Sequence, residues 1–379
     1  MTAINHYFYA MAVKVSGMAE LKYMKMPDFD ISILQCPVTG ENLLFLPHDV
    51  AALHIEKVLS QHAFSGPLTG GFVNESSSYF YPVFDEIILL LPAYALFIGK
   101  GIDGRGTMVF NKERVFDYYN AISYDIKNNL KVYEDSPKWV DYRKVSADYV
   151  ANSFTRAGKY LSQGGRYFLD VASGPIGLPE YMTLSEPYEI RICVDISLNA
   201  LLQARLNYKR KGIFICADIT NIPLKANVCD AVLCQHTLYH VPKNEQKLAL
   251  HELYRVAKPG TQIAIVYSLF YHSWFMNLTL MPVQLYRIAR HVAGKVYARW
   301  FSGKPRLYYY PHSLAWFRKH TPGGQMNFYC WRSVNKYFLN IFIHGKAGSS
   351  FLSWLRKSED THPKCWARFG EYPLIVIKK

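Results

Sequence analysis

The sequence lacks a CxxC pair, a cationic leader followed by an apolar run, and an uninterrupted apolar segment of membrane-spanning length. Most of its seven cysteines lie in apolar runs typical of buried strands, so we expect free thiols in a reducing compartment and no disulfide framework. The stretch Pro259–Tyr286 has no charged residue, but Gln262, His272 and Pro282 interrupt it. These absences predict a globular, cytoplasmic protein, with peripheral contact to a membrane surface as an alternative.

Acidic residues are missing from a long C-terminal block. None occurs between Glu252 and Glu359, whereas residues 253–358 contain 15 lysines and arginines. The rest of the chain has 28 basic and 29 acidic residues, so the whole excess behind the net charge of +14 lies in this block. Because solvated surfaces normally mix both signs, the block predicts an anionic partner or, as the simpler alternative, a basic solvated face.

Apolar runs and turn residues divide the chain into segments. Short runs between Ile33 and Pro92 predict a small β module, and the glycine-rich stretch Gly99–Gly106 predicts a linker. Residues 112–164 have a helical pattern. From Arg166 to Tyr267, apolar strands alternate with amphipathic helices, which predicts an α/β fold with a doubly wound, Rossmann-like parallel sheet.

The strand–helix alternation stops after Ser268 and returns only at a last strand, Leu374–Ile377. The intervening residues are rich in Tyr, Phe and Trp, and they predict a helical lid over the carboxyl edge of the sheet, where open α/β folds bind ligands. The predicted domains are an N-terminal module (1–106), a core with a helical lead-in (107–269), a basic lid or substrate insertion (270–358) and the final core strand (359–379).

Three acidic residues, Asp170, Asp195 and Asp218, end three successive predicted strands. Small residues follow Asp170 in the turn to Gly177, where they let a ligand approach the backbone and the N–H groups of a helix start. The fingerprint GxGxxG is missing, which argues against a dinucleotide. Asp195 can accept both hydroxyls of a ribose, although a helix N-cap is the alternative, and Asp218 can accept an adenine amine with Ile219 against the ring.

Four runs in order resemble the motifs of class I S-adenosylmethionine-dependent methyltransferases, and most of all their quinone-biosynthesis, type 11 branch: Leu169–Pro175, Cys193–Ser197, Ala217–Ile219 and His251–Gly260. The resemblance covers roughly residues 112–270 and the last strand, and it implies S-adenosyl-L-methionine as the cofactor. The chain departs from the pattern by Ala172 in place of the first glycine and by Pro175. The implied cofactor-binding residues are Asp170, Ala172, Ser173, Gly174, Gly177, Asp195, Ile196, Asp218, Ile219 and Gln235.

The run Gln235–Pro242 follows the fourth predicted strand, and the resemblance places it beside the transferred methyl group. A neutral histidine there, His236 or His240, can take a proton from an attacking hydroxyl or amine, which makes both candidate catalytic residues. The alternative is that His240 packs behind the next helix and His236 only lines the pocket. Proximity and orientation alone would then drive the transfer.

The N-terminal module resembles a degenerate zinc ribbon of the kind found beside methyltransferases, in the runs Leu34–Gly40 and Tyr81–Pro92. Zinc in such ribbons needs four thiolate or imidazole ligands at paired spacing. Only Cys36 remains here, and the nearby histidines fit no ligand pattern. We therefore predict no metal.

The basic block contains an amphipathic pattern from Val283 to Phe301, which predicts a helix that covers the active site, lies on anionic lipid or faces a phosphate. An ordinary lid helix is the alternative. The function predicted is methyl transfer to oxygen or nitrogen of a small or lipid-linked anionic acceptor, with RNA as an alternative acceptor and a non-catalytic binding protein as a third hypothesis. The sequence indicates no oligomeric state. The candidate substrate residues are Tyr239, Arg287, Arg290 and Tyr309.

Overall fold

The computed structural model describes residues 29–379 except 63, 65, 101, 107, 109, 128 and 301–306. Its strands are β1 (Leu43–Pro47), β2 (Leu68–Asn74), β3 (Tyr79–Phe84), β4 (Ile87–Leu89), β5 (Leu96–Phe97), β6 (Tyr124–Lys127), β7 (Leu130–Tyr133), β8 (Gly165–Val171), β9 (Tyr188–Asp195), β10 (Gly212–Cys216), β11 (Ala231–Gln235), β12 (Gln262–Val266), β13 (Gln325–Arg332) and β14 (Tyr372–Lys378). Its helices are α1 (His48–Gln61), α2 (Phe110–Ala121), α3 (Ala147–Thr155), α4 (Pro179–Thr183), α5 (Leu198–Asn207), α6 (Gln246–Val256), α7 (Trp274–Thr279), α8 (Met281–Trp300), α9 (Leu314–His320), α10 (Lys336–Phe342), α11 (Gly345–Thr361) and α12 (Pro363–Phe369).

A sheet of 12 strands runs in the order β1-β2-β3-β4-β10-β9-β8-β11-β12-β14-β13, and β5 pairs with β3. Strands β4, β10, β9, β8, β11 and β12 are parallel, whereas β14 is antiparallel to both of its neighbours. From β8 the chain adds β9 and β10 on one side and β11 and β12 on the other. The order therefore reverses between β8 and β11, and the predicted doubly wound α/β fold is confirmed.

The central strands are buried because their residues are apolar on both faces. Residues 167–171 of β8 and 231–234 of β11 are all buried. Helices α3, α10 and α11 pack on β8, β11, β12 and β14, and helices α1 and α5 pack on β3, β4, β9 and β10. Such continuous burial is what a parallel sheet covered by helices requires.

The strands of the predicted N-terminal module continue the same sheet. Strand β4 pairs in parallel with β10, and Ile87 lies opposite Phe214. The edge of the core sheet is thus covered by a segment from the start of the chain. Strands from both sides of the predicted domain boundary near residue 106 belong to one sheet. The boundary itself stays a prediction.

Two elements differ from the sequence expectations. The helical lead-in contains an antiparallel hairpin, β6–β7, at whose turn Asn129 adopts φ +62°, a conformation that asparagine tolerates in tight turns. The block 270–358 contains β13 in addition to helices. This strand is half-exposed at the sheet edge, so its sequence lacks the continuous apolar character of β8 or β11.

A buried ion pair joins α3, α11 and the end of β13. Arg156 Nη1 donates to Glu359 Oε2 (2.7 Å) and to the carbonyl oxygen of Trp331 (2.8 Å). The other oxygen of Glu359 accepts from Tyr149 Oη (2.6 Å) and from the backbone N–H of Ser333 (2.8 Å). Because the carboxylate and the guanidinium are both buried, each depends on the other for its charge.

We expect Glu359→Gln to lower the free energy of unfolding by about 3–5 kcal/mol, because it removes the buried counter-charge of Arg156 and leaves only the more distant, part-exposed Asp360. Urea denaturation followed by tryptophan fluorescence measures the loss. The matched control is Asp360→Asn, which removes the longer, part-exposed contact to the same arginine (3.3 Å) and should cost less than about 1 kcal/mol. Equal losses in the two variants would contradict the assignment.

Candidate functional site

A cavity of about 290 Å³ lies at the carboxyl ends of β8, β9, β10 and β11, where the strand order reverses. This is the edge at which open α/β sheets bind ligands, and the volume is near the lower end for small-molecule pockets, about 300–1,000 Å³. The lining consists mainly of the loops after these strands: 170–178, 194–196, 217–219 and 235–237. Every predicted cofactor-binding residue lies in these loops.

The loop after β8 is held in an unusual backbone conformation. Ala172, Gly174 and Ile176 have φ of +53°, +58° and +48°. The N–H of Ala172 donates to the carbonyl oxygen of Val194 (2.6 Å), which ties the loop to β9. At Gly177 an added Cβ would lie 2.6 Å from the carbonyl oxygen of Lys131, so the loop packs directly against β7. With its φ of +53°, Ala172 occupies a left-handed backbone position that favours glycine.

Asp195 connects this loop to the next helix. Its Oδ2 accepts the N–H of Gly174 and its Oδ1 accepts the N–H of Ser197, both at 2.9 Å. The N-cap of α5 is Ser197, whose Oγ accepts from Ala200 N (3.2 Å), so Asp195 is not itself the cap. Burial raises the pKa of the Asp195 carboxyl to about 6. Each oxygen keeps a lone pair that can accept a ligand hydroxyl.

Asp170 forms a buried ion pair at the base of the cavity. Its Oδ2 accepts from Arg191 Nη2 (2.5 Å) and Nε (3.2 Å). Arg191 also donates from Nη1 to the carbonyl oxygen of Tyr181 (2.7 Å). Sequence reasoning missed Arg191, although a single arginine inside the apolar strand β9 is the signal that could have revealed it.

Asp218 is paired with Lys112 of α2, which sequence reasoning also missed. Lys112 Nζ lies 2.5 Å from Asp218 Oδ2 and 2.5 Å from Glu245 Oε2. Asp218 Oδ1 accepts from Thr220 N (2.8 Å). Burial lowers the pKa of Lys112, but the two carboxylates outweigh burial and raise it, so the lysine stays charged. Helix α2 is thereby fixed over the part of the cavity assigned to the adenine.

Both predicted catalytic histidines line the cavity and are neutral at pH 7. Burial, and then the charge of Arg332, lowers the pKa of His236 to about 3. Burial lowers the pKa of His240 to about 4. His240 Nδ1 donates to the carbonyl oxygen of Tyr308 (2.7 Å), which leaves Nε2 as the acceptor. His236 has φ +55°, a strained conformation of the kind that occurs at functional sites.

The candidate substrate residues lie elsewhere. Tyr239 and Tyr309 pack on each other and on His240, with ring centroids 4.6–5.7 Å apart, and neither lines the cavity. Arg290 is exposed on α8, and the side chain of Arg287 lies outside the described part of the structure. Four tyrosines that the sequence did not identify as site residues also line the cavity. They come from the hairpin and the neighbouring helices and loops: Tyr119, Tyr133, Tyr142 and Tyr181.

In the N-terminal module, Cys36 closes a turn. Its Sγ accepts from Thr39 N (3.4 Å) and lies 3.2 Å from Tyr81 Oη. No group of three or more His, Cys, Asp or Glu side chains in the described residues is arranged to hold a metal ion. The resemblance of this module to a zinc ribbon stays a prediction.

Residues 169–265 match the family model of the methyltransferase domain. A demethylmenaquinone methyltransferase of Renibacterium salmoninarum is 31% identical over 150 residues, which are 38% of this chain and 54% of the relative. The match thus spans about half the length of that relative. The predicted similarity to a methyltransferase domain is thus found for residues 169–265.

Solved structures with similarity to the chain include a SAM-dependent methyltransferase of Archaeoglobus fulgidus, which is 15% identical with a TM-score of 0.39, over 61% of this chain and 94% of that one. Another is phosphoethanolamine N-methyltransferase 2 of Haemonchus contortus in complex with S-adenosyl-L-methionine. It is 15% identical with a TM-score of 0.36, over 60% of this chain and 52% of that one.

We expect Ala172→Gly to raise the free energy of unfolding by about 1 kcal/mol, because glycine adopts φ +53° without the strain of a Cβ. Thermal unfolding measures the gain. The matched control is Ala200→Gly inside α5, where glycine should instead cost about 1 kcal/mol. A loss at both positions would show that the methyl group of Ala172 has a packing role that exceeds its backbone strain.

Proposed function

We propose that the chain is an S-adenosylmethionine-dependent methyltransferase that acts on oxygen or nitrogen of a small or lipid-linked anionic acceptor. The observation that carries the proposal is the convergence of Asp170, Asp195 and Asp218, at the ends of three adjacent parallel strands, on one cavity within a matched methyltransferase domain.

The residues present fit this cofactor. Asp195 offers two oxygens to a ribose diol, and Ile196 and Ile219 give apolar surface for an adenine. The Oε1 atom of Gln235 is buried at the cavity and has no hydrogen-bond partner among the described residues, so an acceptor is available for a ligand amine. When bound, the cofactor supplies a methyl group on a sulfonium sulfur.

The histidines contribute mainly by position. Because burial holds the pKa values of His236 and His240 near 3 and 4, each is a weak base in the free protein. Each can still accept a hydrogen bond from an acceptor hydroxyl or amine and align it for attack. Fixing such a geometry supplies much of the rate in transfers to a reactive centre.

Binding of S-adenosylhomocysteine tests the cofactor claim. In calorimetry we expect wild type to bind it and Asp195→Asn to bind at least about tenfold more weakly, because a charged hydrogen-bond acceptor is lost. The carboxylate must be ionised to accept two hydroxyls, so wild-type affinity should be about tenfold lower at pH 5 than at pH 7, given its pKa of about 6. The Asn variant should lack this pH dependence.

The matched control is Asp230→Asn, because Asp230 also accepts two backbone N–H groups, those of Arg166 and Tyr167, but at the opposite edge of the sheet. Its variant should bind like wild type. Absence of binding by wild type would refute the cofactor assignment. Binding without transfer of labelled methyl groups into a cell extract would favour the non-catalytic alternative.

The acid-free block supports an anionic partner, and an exposed apolar face of α8 within that block supports contact with a lipid surface. Four apolar residues recur at helical spacing on this face and are 41–61% exposed: Met281, Leu285, Ile288 and Val292. Among the described residues no helix is long and apolar enough to span a bilayer. An apolar helix face within a basic block is typical of helices that lie on anionic lipid, so we propose that α8 contacts the membrane surface.

Vesicle sedimentation tests this contact. We expect the protein to bind vesicles of phosphatidylcholine with 30% phosphatidylglycerol more tightly than vesicles of phosphatidylcholine alone, and the double variant Leu285→Glu/Ile288→Glu to lose most of that binding. The control carries glutamates at two isolated exposed leucines, Leu206 and Leu248, and should bind like wild type. Binding of RNA that weakens steeply with salt, without vesicle binding, would favour the RNA alternative.

A further inference from the structure

Arg332, the last residue of β13, is a buried cation that has no counter-charge in the part of the chain that the structure describes. Its side chain is only 4% exposed, and neither Nε nor Nη1 has a hydrogen-bond partner among the residues described. No salt bridge to it is formed within the described residues. Two other arginines are buried as deeply, and both are paired: Arg156 with Glu359 and Arg191 with Asp170. Arg332 is therefore the exception among these three.

The end of β13 brings Arg332 to the edge of the sheet where the cavity lies. Strand β13 is antiparallel to β14, which is antiparallel to β12, so β13 runs in the direction of the parallel core strands. The register shifts between Cys330 and Arg332, and such a bulge redirects side chains at a strand end. The carboxyl ends of β8, β11 and β13 thus meet on one side.

Aromatic rings surround the guanidinium. Its Cζ lies 5.0 Å from the ring centroid of Trp331 and 4.9 Å from that of Tyr372. The same two rings contact His236, at 4.7 and 5.5 Å between centroids. We name Arg332, Trp331, Tyr372 and His236 the arginine box. His236 belongs both to the box and to the cavity lining, so the two adjoin.

The charge of Arg332 also bears on two residues that line the cavity. After burial, its charge is the next cause that lowers the pKa of His236. Burial raises the pKa of Tyr181, another cavity-lining residue, and the charge of Arg332 opposes that shift. The charge of Arg332 therefore favours a lower pKa at two residues of the cavity lining, His236 and Tyr181.

An unpaired buried charge lowers stability, since its hydration is lost and nothing replaces it. Aromatic faces offset part of that loss, but they leave the N–H groups of the guanidinium without acceptors. These groups form a planar fork that matches two oxygens of a carboxylate or phosphate. A ligand with such an anionic group, placed beside His236, would satisfy both the charge and the missing hydrogen bonds.

We propose that Arg332 binds the carboxylate or phosphate of the methyl acceptor and thereby orients the acceptor against His236. The proposal rests on the proposed methyltransferase function and specifies its substrate class: an anionic molecule whose flat or apolar part lies along Trp331 and Tyr372. The acceptor charge is then bound by a buried residue of the sheet edge and not by the exposed basic residues of α8.

The test uses small probes and the whole 379-residue chain saturated with S-adenosylhomocysteine. Benzoate and phenyl phosphate present the two anions, benzamide is their neutral counterpart, and inorganic phosphate is an anion without a ring. By calorimetry or ligand-observed NMR, at least one aromatic anion should bind about tenfold or more tightly than benzamide. Arg332→Met should remove that preference, and Arg332→Lys should retain only part of it. Tight binding of inorganic phosphate would identify phosphate as the anion.

Stability supplies a second readout that a structural role would not reproduce. Without ligand, Arg332→Met should raise the Tm by about 2 °C, because it removes an unpaired buried charge. The matched variant Arg156→Met removes a paired buried arginine and should lower the Tm. A marked loss of Tm in Arg332→Met would make Arg332 a structural residue and overturn the proposal.

S-adenosylhomocysteine binding distinguishes a failure of the Arg332 proposal from a failure of the proposed function. Its affinity should be the same in wild type and Arg332→Met, because Arg332 lies outside the nucleoside end of the cavity. If wild type binds S-adenosylhomocysteine but prefers neither anion over benzamide, the role of Arg332 is wrong and the proposed function stands. If wild type does not bind S-adenosylhomocysteine, the proposed function itself fails.

Discussion

The buried pair of Asp170 and Arg191 is the constraint on which the site depends. A carboxylate at the carboxyl end of the central strand lies below the surface and needs a counter-charge, which the neighbouring strand supplies. The same arginine holds the carbonyl oxygen of Tyr181 and so positions the wall of the cavity. With this base fixed, the loop from Ala172 can bend back to β9, and Asp195 can hold it there through Gly174.

The sequence predicts the parts of the site that follow from strand ends. Asp170, Asp195 and Asp218 each terminate an apolar run, and the topology of a parallel sheet brings such residues to one edge. Their partners could not be predicted in this way. Lys112 meets Asp218 from 106 positions away, and only the packing of α2 over the cavity determines that contact. Arg191 had a local signal, since it interrupts an apolar strand.

The missed elements have a physical explanation as well. The hairpin β6–β7 is short and mostly part-exposed, so its polar positions mix with the helical pattern on either side. Strand β13 lies at the sheet edge, and only its last residues are continuously buried. Those last residues include Trp331 and Arg332. The part of the fold that was hardest to predict therefore contains the group to which we assign the acceptor, whereas the residues predicted to bind the cofactor all line the cavity.

The pairing of β4 with β10 has a consequence for synthesis of the chain. Ile87, Ile88 and Leu89 leave the ribosome long before residues 214–216, with which they pair. At translation rates of about 5–20 residues per second, this wait is on the order of ten seconds. During that time a fully apolar strand has an open edge that other chains can join. Production of this protein should therefore depend on chaperones that bind nascent chains, even though its finished sheet covers that strand completely.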